Sequence, residues 1–176
     1  MGMKTRFRNY QINKLKKNPA KAKSYSGFAA VRTIGISFAN QKFRDEIQDY
    51  KRKMEGLGKQ VSIIEYIPFK RKEIEKKDIY TPEQWYCKSD LNYSGVPTNA
   101  HVQSFLQREY DVYLDLNEEE EHPNDFISLK LKASLKAGNS NRQDLGLDLA
   151  FSISEKDNLQ HFFKQLDYYL NFINQK

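Results

Sequence analysis

The sequence predicts a single three-layer, Rossmann-like α/β domain with a mainly parallel sheet, preceded by a basic N-terminal arm. Two apolar, β-branched runs, Val31–Phe38 and Val61–Ile67, are typical of strands that are covered on both faces. Between them, Gln41–Leu57 has apolar residues at helical spacing, and Gly56 and Gly58 lie at its end. Strand, helix and strand in this order predict a βαβ unit whose two strands are parallel neighbours.

Helices and strands continue to alternate through the rest of the chain. Val112, Leu114 and Leu116 alternate with polar residues, as in a strand. The last helix has the clearest pattern, and Phe163, Leu166 and Leu170 should face the core. The other predicted elements are a short strand over 84–88, a helix over 99–109, a strand over 147–153 and the final helix over 159–173.

Residues 124–137 fit two patterns. Leu129, Leu131, Ala133, Leu135 and Ala137 have the period of a strand, whereas the apolar residues before Ala133 also suit a helix. We predict a helix from Pro123 that gives way to a short strand near Leu135, followed by a polar loop over 138–143.

The positive charge of the chain is concentrated at its N-terminus. The net charge is +6, yet residues 1–30 contain eight Lys or Arg and no acidic residue, which leaves the other 146 residues at −2. We therefore predict a basic arm over 1–28 and an α/β domain over 29–176. Such an arm is typical of proteins that bind RNA, a ribosomal surface or another polyanion. An arm that only aids solubility would have the same composition. The candidate polyanion-binding residues are Arg6, Arg8, Lys14, Lys16, Lys17, Lys21 and Lys23.

Several classes of protein are disfavoured by what the sequence lacks. It has no run of eighteen apolar residues for a membrane span and no apolar segment of a signal peptide. The single Cys87 excludes an internal disulfide, so we expect a reducing, cytoplasmic location. Gly35 stands alone in the first strand, so no phosphate-binding G-x-G-x-x-G is present, and the three histidines are scattered. We predict no cofactor, no metal and no catalytic residue set, and whether the protein is an enzyme stays open.

The polar segment 89–97 is the main candidate for a small-ligand site. Asp90 and Asn92 suit turns, Gly95 allows a positive φ, and Tyr93 can stack on a ligand. An ordered turn without a ligand would use the same residues. Asp115 lies near the C-terminal end of a predicted buried strand, where α/β domains bind ligands, although it can equally cap a turn. The candidate ligand-binding residues are Asp90, Asn92, Tyr93, Gly95, Asp115 and Asn117.

Some of these segments also resemble a known family. The order D-L-N-aromatic-x-G-x-P over 90–97, the strand 110–116 and the Lys136-Ala137-Gly138 triplet are similar to a family of small uncharacterised bacterial proteins. The resemblance extends over about residues 28–176. It implies a Rossmann-like α/β domain and no particular activity. Tyr93 stands where the family pattern has Trp, and Asn117 where it has Ser, so the resemblance implies no defined pocket chemistry.

Two functions from different classes are compatible with these features. The favoured one is a non-enzymatic, cytosolic binding protein whose basic arm engages a polyanion such as RNA. The alternative is a ligand-binding or enzymatic α/β domain that uses the segment 89–97 and Asp115 at the carboxyl ends of the strands.

The polyanion hypothesis predicts a salt-dependent interaction. If about five of the basic residues contact a single strand, log K should fall against log salt with a slope of roughly −3.5. Filter binding of full-length and truncated protein to a generic RNA measures this, and deletion of residues 1–23 should abolish the binding. Equal, negligible binding by both proteins at low salt would contradict the hypothesis. If instead the arm packs as a helix through Phe7, Tyr10 and Leu15, the deletion should destabilise the fold.

Overall fold

A single sheet of six parallel strands forms the centre of the molecule. The computed structural model describes residues 3–17, 20, 24–79, 81–82, 84–118, 122–153 and 159–173, with the backbone alone for residues 3–8 and 122. The strands are β1 (Thr33–Phe38), β2 (Gln60–Ile67), β3 (Trp85–Cys87), β4 (Glu109–Asp115), β5 (Lys132–Asn139) and β6 (Leu149–Phe151). Their order is β3-β2-β1-β4-β5-β6, and each neighbouring pair is parallel.

Helices cover both faces of this sheet. They are α1 (Met3–Lys17), α2 (Arg44–Gly56), α3 (Arg71–Lys76), α4 (Ala100–Gln107), α5 (His122–Lys130) and α6 (Leu159–Phe172). One core cluster joins α2 and α6 to one face, and a second joins α4 and α5 to the other. The predicted three-layer, Rossmann-like α/β fold is thus confirmed.

The first βαβ unit is as the apolar runs predicted. β1 and β2 are parallel neighbours, in a register that pairs Ile34 with Val61. The intervening α2 buries Ile47, Tyr50 and Met54 at helical spacing against the sheet.

The last helix packs as its pattern predicted. Phe163, Leu166 and Leu170 are all buried in the core cluster that includes α2. The ring of Phe163 stacks on that of Tyr50, with centroids 3.9 Å apart and an interplanar angle of 5°. Helix α6 therefore holds α2 against the sheet, next to the strands that form the site described below.

The prediction for residues 124–143 was partly wrong. A helix and a strand do follow one another, but the strand begins at Lys132 and continues to Asn139. Pairing with β4 from Glu109 to Asp115 extends it in both directions, because a central parallel strand gains a partner for each backbone group. Gly138 and Asn139 therefore belong to β5 rather than to a loop, and Ser140–Leu145 forms a 3₁₀ helix.

The N-terminal segment contains a helix that packs on the α/β domain. Ile12 of α1 is 7% exposed and lies in a cluster with Phe126 and Leu129 of α5 and with Leu145. Leu15 packs at the margin of this cluster, whereas Tyr10 is 65% exposed. Helix packing of the arm, the alternative to a free arm, is thus present, but Ile12 rather than Tyr10 makes the contact.

Replacement of Ile12 should measure how much this packing stabilises the fold. Ile12→Ala removes a buried side chain and should lower the free energy of unfolding by ~2–4 kcal/mol. Tyr10→Ala, on the exposed side of the same helix, should change it by less than about 0.5 kcal/mol. Urea unfolding of both variants gives these values. Equal losses for the two variants would show that α1 does not dock through Ile12.

Candidate functional site

The candidate site lies where the strand order of the sheet reverses. From β1 the chain crosses to β2 on one side, whereas β4 lies on the other side, so the loops after β1 and β4 diverge. In open parallel sheets this divergence leaves a crevice at the carboxyl edge, where ligands bind. A cleft of about 630 Å³ opens there, with walls from the segments that follow β1, β2, β4, β5 and β6.

The walls of this cleft are rich in carboxamides. Five Asn or Gln side chains, one Lys, one Glu and four apolar residues line it. A carboxamide offers both hydrogen-bond donors and acceptors and carries no charge. The lining residues are Ala39, Asn40, Gln41, Lys42, Pro68, Phe69, Asn117, Glu118, Asn139, Asn141 and Ile153.

Below the cleft, the carboxylate of Asp115 is completely buried at the end of β4. Its Oδ1 accepts hydrogen bonds from the backbone N–H of Asn117 at 3.2 Å and from the Asn117 side chain. Its Oδ2 accepts from Ser128 Oγ at 2.5 Å and from Arg142 Nη2 at 3.4 Å. An ionised carboxylate has about four acceptor positions, which these four donors fill. Asp115 is therefore a positioning residue for the segments around it.

One chain of hydroxyl groups ends at Asp115. Because the Ser128 hydroxyl donates to Asp115, Tyr113 must donate to Ser128 across 2.8 Å. Tyr113 in turn accepts from Ser37 across 2.6 Å. Burial, followed by the charge of Asp115, raises the pKa of Tyr113, so the phenol keeps its proton. The chain ties β1, β4 and α5 together below the cleft.

A second chain of hydrogen bonds reaches Asp115 from the other direction. Tyr86 Oη donates to Asn124 Oδ1 at 2.6 Å, and Asn124 Nδ2 donates to Asn117 Oδ1 at 2.7 Å. Asn117 then donates to Asp115. This chain fixes the orientation of the Asn117 carboxamide, one of the residues that line the cleft.

Arg142 supplies the positive charge that this buried region requires. It is 3% exposed and makes ion pairs with both Asp115 and Asp125. Burial opposes the charged guanidinium, but the two carboxylates outweigh it and raise the pKa of Arg142. Because Arg142 belongs to the 3₁₀ helix that follows β5, the ion pairs also hold that turn at the edge of the cleft.

Gly138 allows β5 to lie close to β4 at this point. A Cβ atom there would lie 2.7 Å from the backbone oxygen of Asp115, closer than atoms can pack. The absence of a side chain at Gly138 therefore lets the sheet continue to Asn139, which lines the cleft.

Asn139 carries a buried donor without a partner. The residue is 1% exposed, and its Oδ1 accepts from the backbone N–H of Asn141 at 3.2 Å. Its Nδ2, in contrast, has no hydrogen-bond partner among the residues that the structure describes. Buried amides are rarely left unpaired, so this donor at the cleft calls for an acceptor.

An ion pair crosses the crevice between the loops after β1 and β4. Glu118 Oε2 accepts from Asn40 Nδ2 at 2.6 Å, and its Oε1 lies 3.1 Å from Lys42 Nζ. The carboxylate therefore neutralises the only cation among the described residues that line the cleft.

Comparison with known families finds one family model that covers most of the chain. Residues 4–173 match DUF6913, a family of unknown function. The chain belongs to the DUF6913 family. The match confirms the predicted resemblance to a family of unknown function and extends it through most of α1. No curated protein and no solved structure matches this DUF6913 chain.

In this DUF6913 member, two of the six predicted ligand-binding residues belong to the cleft region. Asn117 lines the cleft and Asp115 orients it from below. Asp115 was predicted because it lies near the carboxyl end of a buried strand, and Asn40 and Asn139, which were not among the predicted residues, also lie near such ends. The apolar pattern of the strands before Asn40 and Asn139 could have indicated both residues. The prediction, however, ended β5 before Gly138 and therefore left Asn139 in a loop.

The other four predicted ligand-binding residues form a separate turn beyond β3. Asn92 Oδ1 accepts from the backbone N–H groups of Ser94 and Val96 at 2.9 and 3.0 Å, and Gly95 has a φ of 74°. Tyr93 is 63% exposed. β1 and β2 separate β3 from β4, which places the ends of β3 and β4 roughly 14 Å apart. The structure therefore does not bring this turn to the cleft.

Asp90 takes part in the local structure of that turn. It accepts a hydrogen bond from the backbone N–H of Cys87 at 2.9 Å and pairs with Arg71 at 2.9 Å. Burial opposes its ionisation, but these contacts lower the pKa of Asp90. Asp90 thus joins β3 to the start of α3.

The basic residues of the N-terminal segment are only partly described. Lys14 and Lys17 are exposed on α1, whereas Lys16 makes an ion pair with Asp144. The side chains of Arg6 and Arg8, and Lys21 and Lys23 as a whole, lie outside the described residues.

The part of the chain that the structure describes holds no group of three His, Cys, Asp or Glu residues that suits a metal ion. None of its helices is long and apolar enough to cross a membrane. Cys87 is buried, and burial raises the pKa of its thiol.

Lys136 is a second buried cation near Asp115. It lies on β5, is 4% exposed, and donates from Nζ to the backbone oxygen of Ser128 at 2.7 Å. Burial lowers the pKa of Lys136 to about 8, although Asp148 and Asp115 act in the opposite direction. The folded protein therefore holds this proton less tightly than the unfolded chain.

The lowered pKa of Lys136 predicts a characteristic pH dependence. Between the folded pKa of about 8 and the usual 10.5, the unfolded chain binds more protons, so stability rises with pH. Relative to Lys136→Met, the wild type should gain ~1–2 kcal/mol from pH 7.5 to 9.5. Urea unfolding at several pH values measures this gain. Lys132→Met, at an exposed position of the same strand, is the control and should follow the wild type. Parallel profiles for wild type and Lys136→Met would contradict the assignment.

Proposed function

We propose that the protein binds an uncharged, nucleoside-like small molecule in the cleft at the carboxyl edge of its sheet. The buried, unpartnered Nδ2 of Asn139 is the observation that carries this proposal. A buried donor without a partner costs ~1–3 kcal/mol. A ligand carbonyl or hydroxyl oxygen would remove this cost by accepting from Asn139 once its carboxamide turns toward the cleft.

The remaining lining residues favour a ligand with donors and acceptors side by side. Gln41 and Asn141 line the same cleft as Asn139, and both are carboxamides. Nucleobase edges present adjacent donors and acceptors, and Asn and Gln pair with them through two hydrogen bonds. Phe69 and Pro68 add an apolar wall of the kind on which a base packs.

The size and charge of the cleft agree with such a ligand. Its volume of about 630 Å³ is in the usual range for small-molecule sites. The turn after β1 is Ala39-Asn40-Gln41 and lacks the glycines that bring a backbone close to a pyrophosphate. With Lys42 paired to Glu118, the described lining has no net charge. These features support a nucleoside rather than a dinucleotide.

Binding without catalysis is the simpler function for this lining. Its described residues include no Cys, His or Ser to act as a nucleophile or base. Asp115, the buried carboxylate that holds Asn117 of the lining, has its acceptor positions filled.

A polyanion partner for α1 is the second candidate. Lys14 and Lys17 are exposed while Ile12 of the same helix is buried, so positive charge faces outward. Deletion of residues 1–23 would also remove the packing of Ile12. Reversal of charge at Lys14 and Lys17 therefore separates RNA affinity from stability better than the deletion.

The cleft proposal predicts selective binding of nucleosides. Calorimetry and NMR titration of the full chain with adenosine, guanosine, cytidine and uridine should find at least one ligand. Gln41→Ala and Asn141→Ala should each weaken it about tenfold, which corresponds to one lost hydrogen bond.

A matched control uses an amide away from the cleft. Asn171→Ala removes an exposed carboxamide on α6 and should leave the affinity unchanged. Failure of all four nucleosides to bind, or equal affinity for the wild type and both cleft variants, would refute the proposal.

A further inference from the structure

We infer that Glu118 is a specificity-determining residue that excludes phosphorylated ligands, because its carboxylate occupies the position of an anion at the mouth of the cleft. The inference deepens the proposed function and rests on it, since it states which nucleoside derivatives the cleft accepts.

The carboxylate of Glu118 reaches across the point where the strand order reverses. Glu118 follows β4, whereas both of its partners, Asn40 and Lys42, lie in the connection from β1 to α2. The distances are 2.6 Å to Asn40 Nδ2 and 3.1 Å to Lys42 Nζ. One acidic side chain thus bridges both walls of the crevice.

The groups that hold Glu118 are those that would hold a phosphate. The 3₁₀ turn Gln41–Phe43 runs directly into α2, so the start of a long helical segment faces the crevice. This end of a helix carries partial positive charge, and Lys42 adds a full charge. In parallel α/β sheets the start of the first helix is where phosphate groups bind.

A second observation identifies this place as part of a ligand site. The unpartnered, buried Nδ2 of Asn139 belongs to the same cleft lining as Asn40, Lys42 and Glu118. The cleft therefore has an unmatched donor on one wall and an already matched cation on the other.

This distribution discriminates between ligands by charge. An uncharged ligand meets the carboxamides of the lining and no charge repulsion. A phosphate would meet the negative Glu118, while Lys42, the cation of the described lining, is already neutralised. The carboxylate therefore works against anionic ligands, which is a use of repulsion for specificity.

Replacement of Glu118 by its neutral isostere tests this inference. Glu118→Gln keeps the size of the side chain and releases Lys42. The side chains of Glu118 and Lys42 are 20% and 46% exposed, so the freed ammonium stays hydrated and the fold is retained. Inorganic phosphate is the probe, titrated at constant ionic strength and followed by NMR at the backbone amides of Lys42 and Asn139.

We expect Glu118→Gln to bind phosphate at least about tenfold more tightly than the wild type. The double variant Glu118→Gln/Lys42→Met should lose this gain. Glu109→Gln is the matched control, because it also releases a lysine, Lys132, from an exposed ion pair far from the cleft. Equal phosphate binding by wild type and Glu118→Gln, or an equal gain in Glu109→Gln, would overturn the inference.

Titration with a nucleoside and its 5′-monophosphate distinguishes this inference from the proposed function. The wild type should prefer the nucleoside, and Glu118→Gln should reduce or reverse that preference. If no nucleoside binds the wild type while Glu118→Gln still gains phosphate, the proposed function fails and the role of Glu118 as an internal anion stands. If nucleosides bind and Glu118→Gln leaves their preference over the monophosphates unchanged, the inference about Glu118 fails alone.

Discussion

A carboxylate that is buried at the end of a central strand requires hydrogen-bond donors and a positive charge, because an unmatched buried charge is too costly to keep. Asp115 obtains these from a backbone N–H, Asn117, Ser128 and Arg142. The donors come from the end of β4, from α5 and from the turn after β5. Satisfying one charge therefore places three segments at the carboxyl edge of the sheet.

The hydrogen bonds and ion pairs around Asp115 also position residues that line the cleft. Asn117 is held by Asp115 and Asn124, and the turn that carries Asn141 is held by the ion pairs of Arg142. Gly138 lets β5 pass close to the backbone of Asp115, so that Asn139 reaches the edge. A hydrophobic replacement of a buried ion network is often as stable as the network itself. The many buried polar groups here are therefore better explained by fixed orientation at the proposed binding surface than by added stability.

The charged groups below the cleft are buried, whereas those at its mouth are partly exposed. Below the cleft, Arg142 balances Asp115 and Asp125 out of contact with solvent. At its mouth, Lys42 and Glu118 are partly exposed and neutralise each other. The remaining carboxamides define a surface that is polar and uncharged. The basic helix α1 lies apart from this cleft lining and packs on α5, so a polyanion partner would use another surface of the protein.

The sequence by itself determined the class of fold, because continuous β-branched runs and helical spacing depend only on neighbours along the chain. Such patterns predicted the first βαβ unit and the buried face of α6. They also pointed to Asp115, at the end of β4. Only the tertiary structure decided that β5 continues through Gly138, since β-pairing with a distant strand extends it. The position of the site also depended on strand order. The turn with Asp90 and Asn92 has the composition of a binding loop, yet β3 lies at the edge of the sheet. Asn40, Asn139 and Glu118 are far apart in sequence, and they line one cleft because β1, β4 and β5 are adjacent in the sheet.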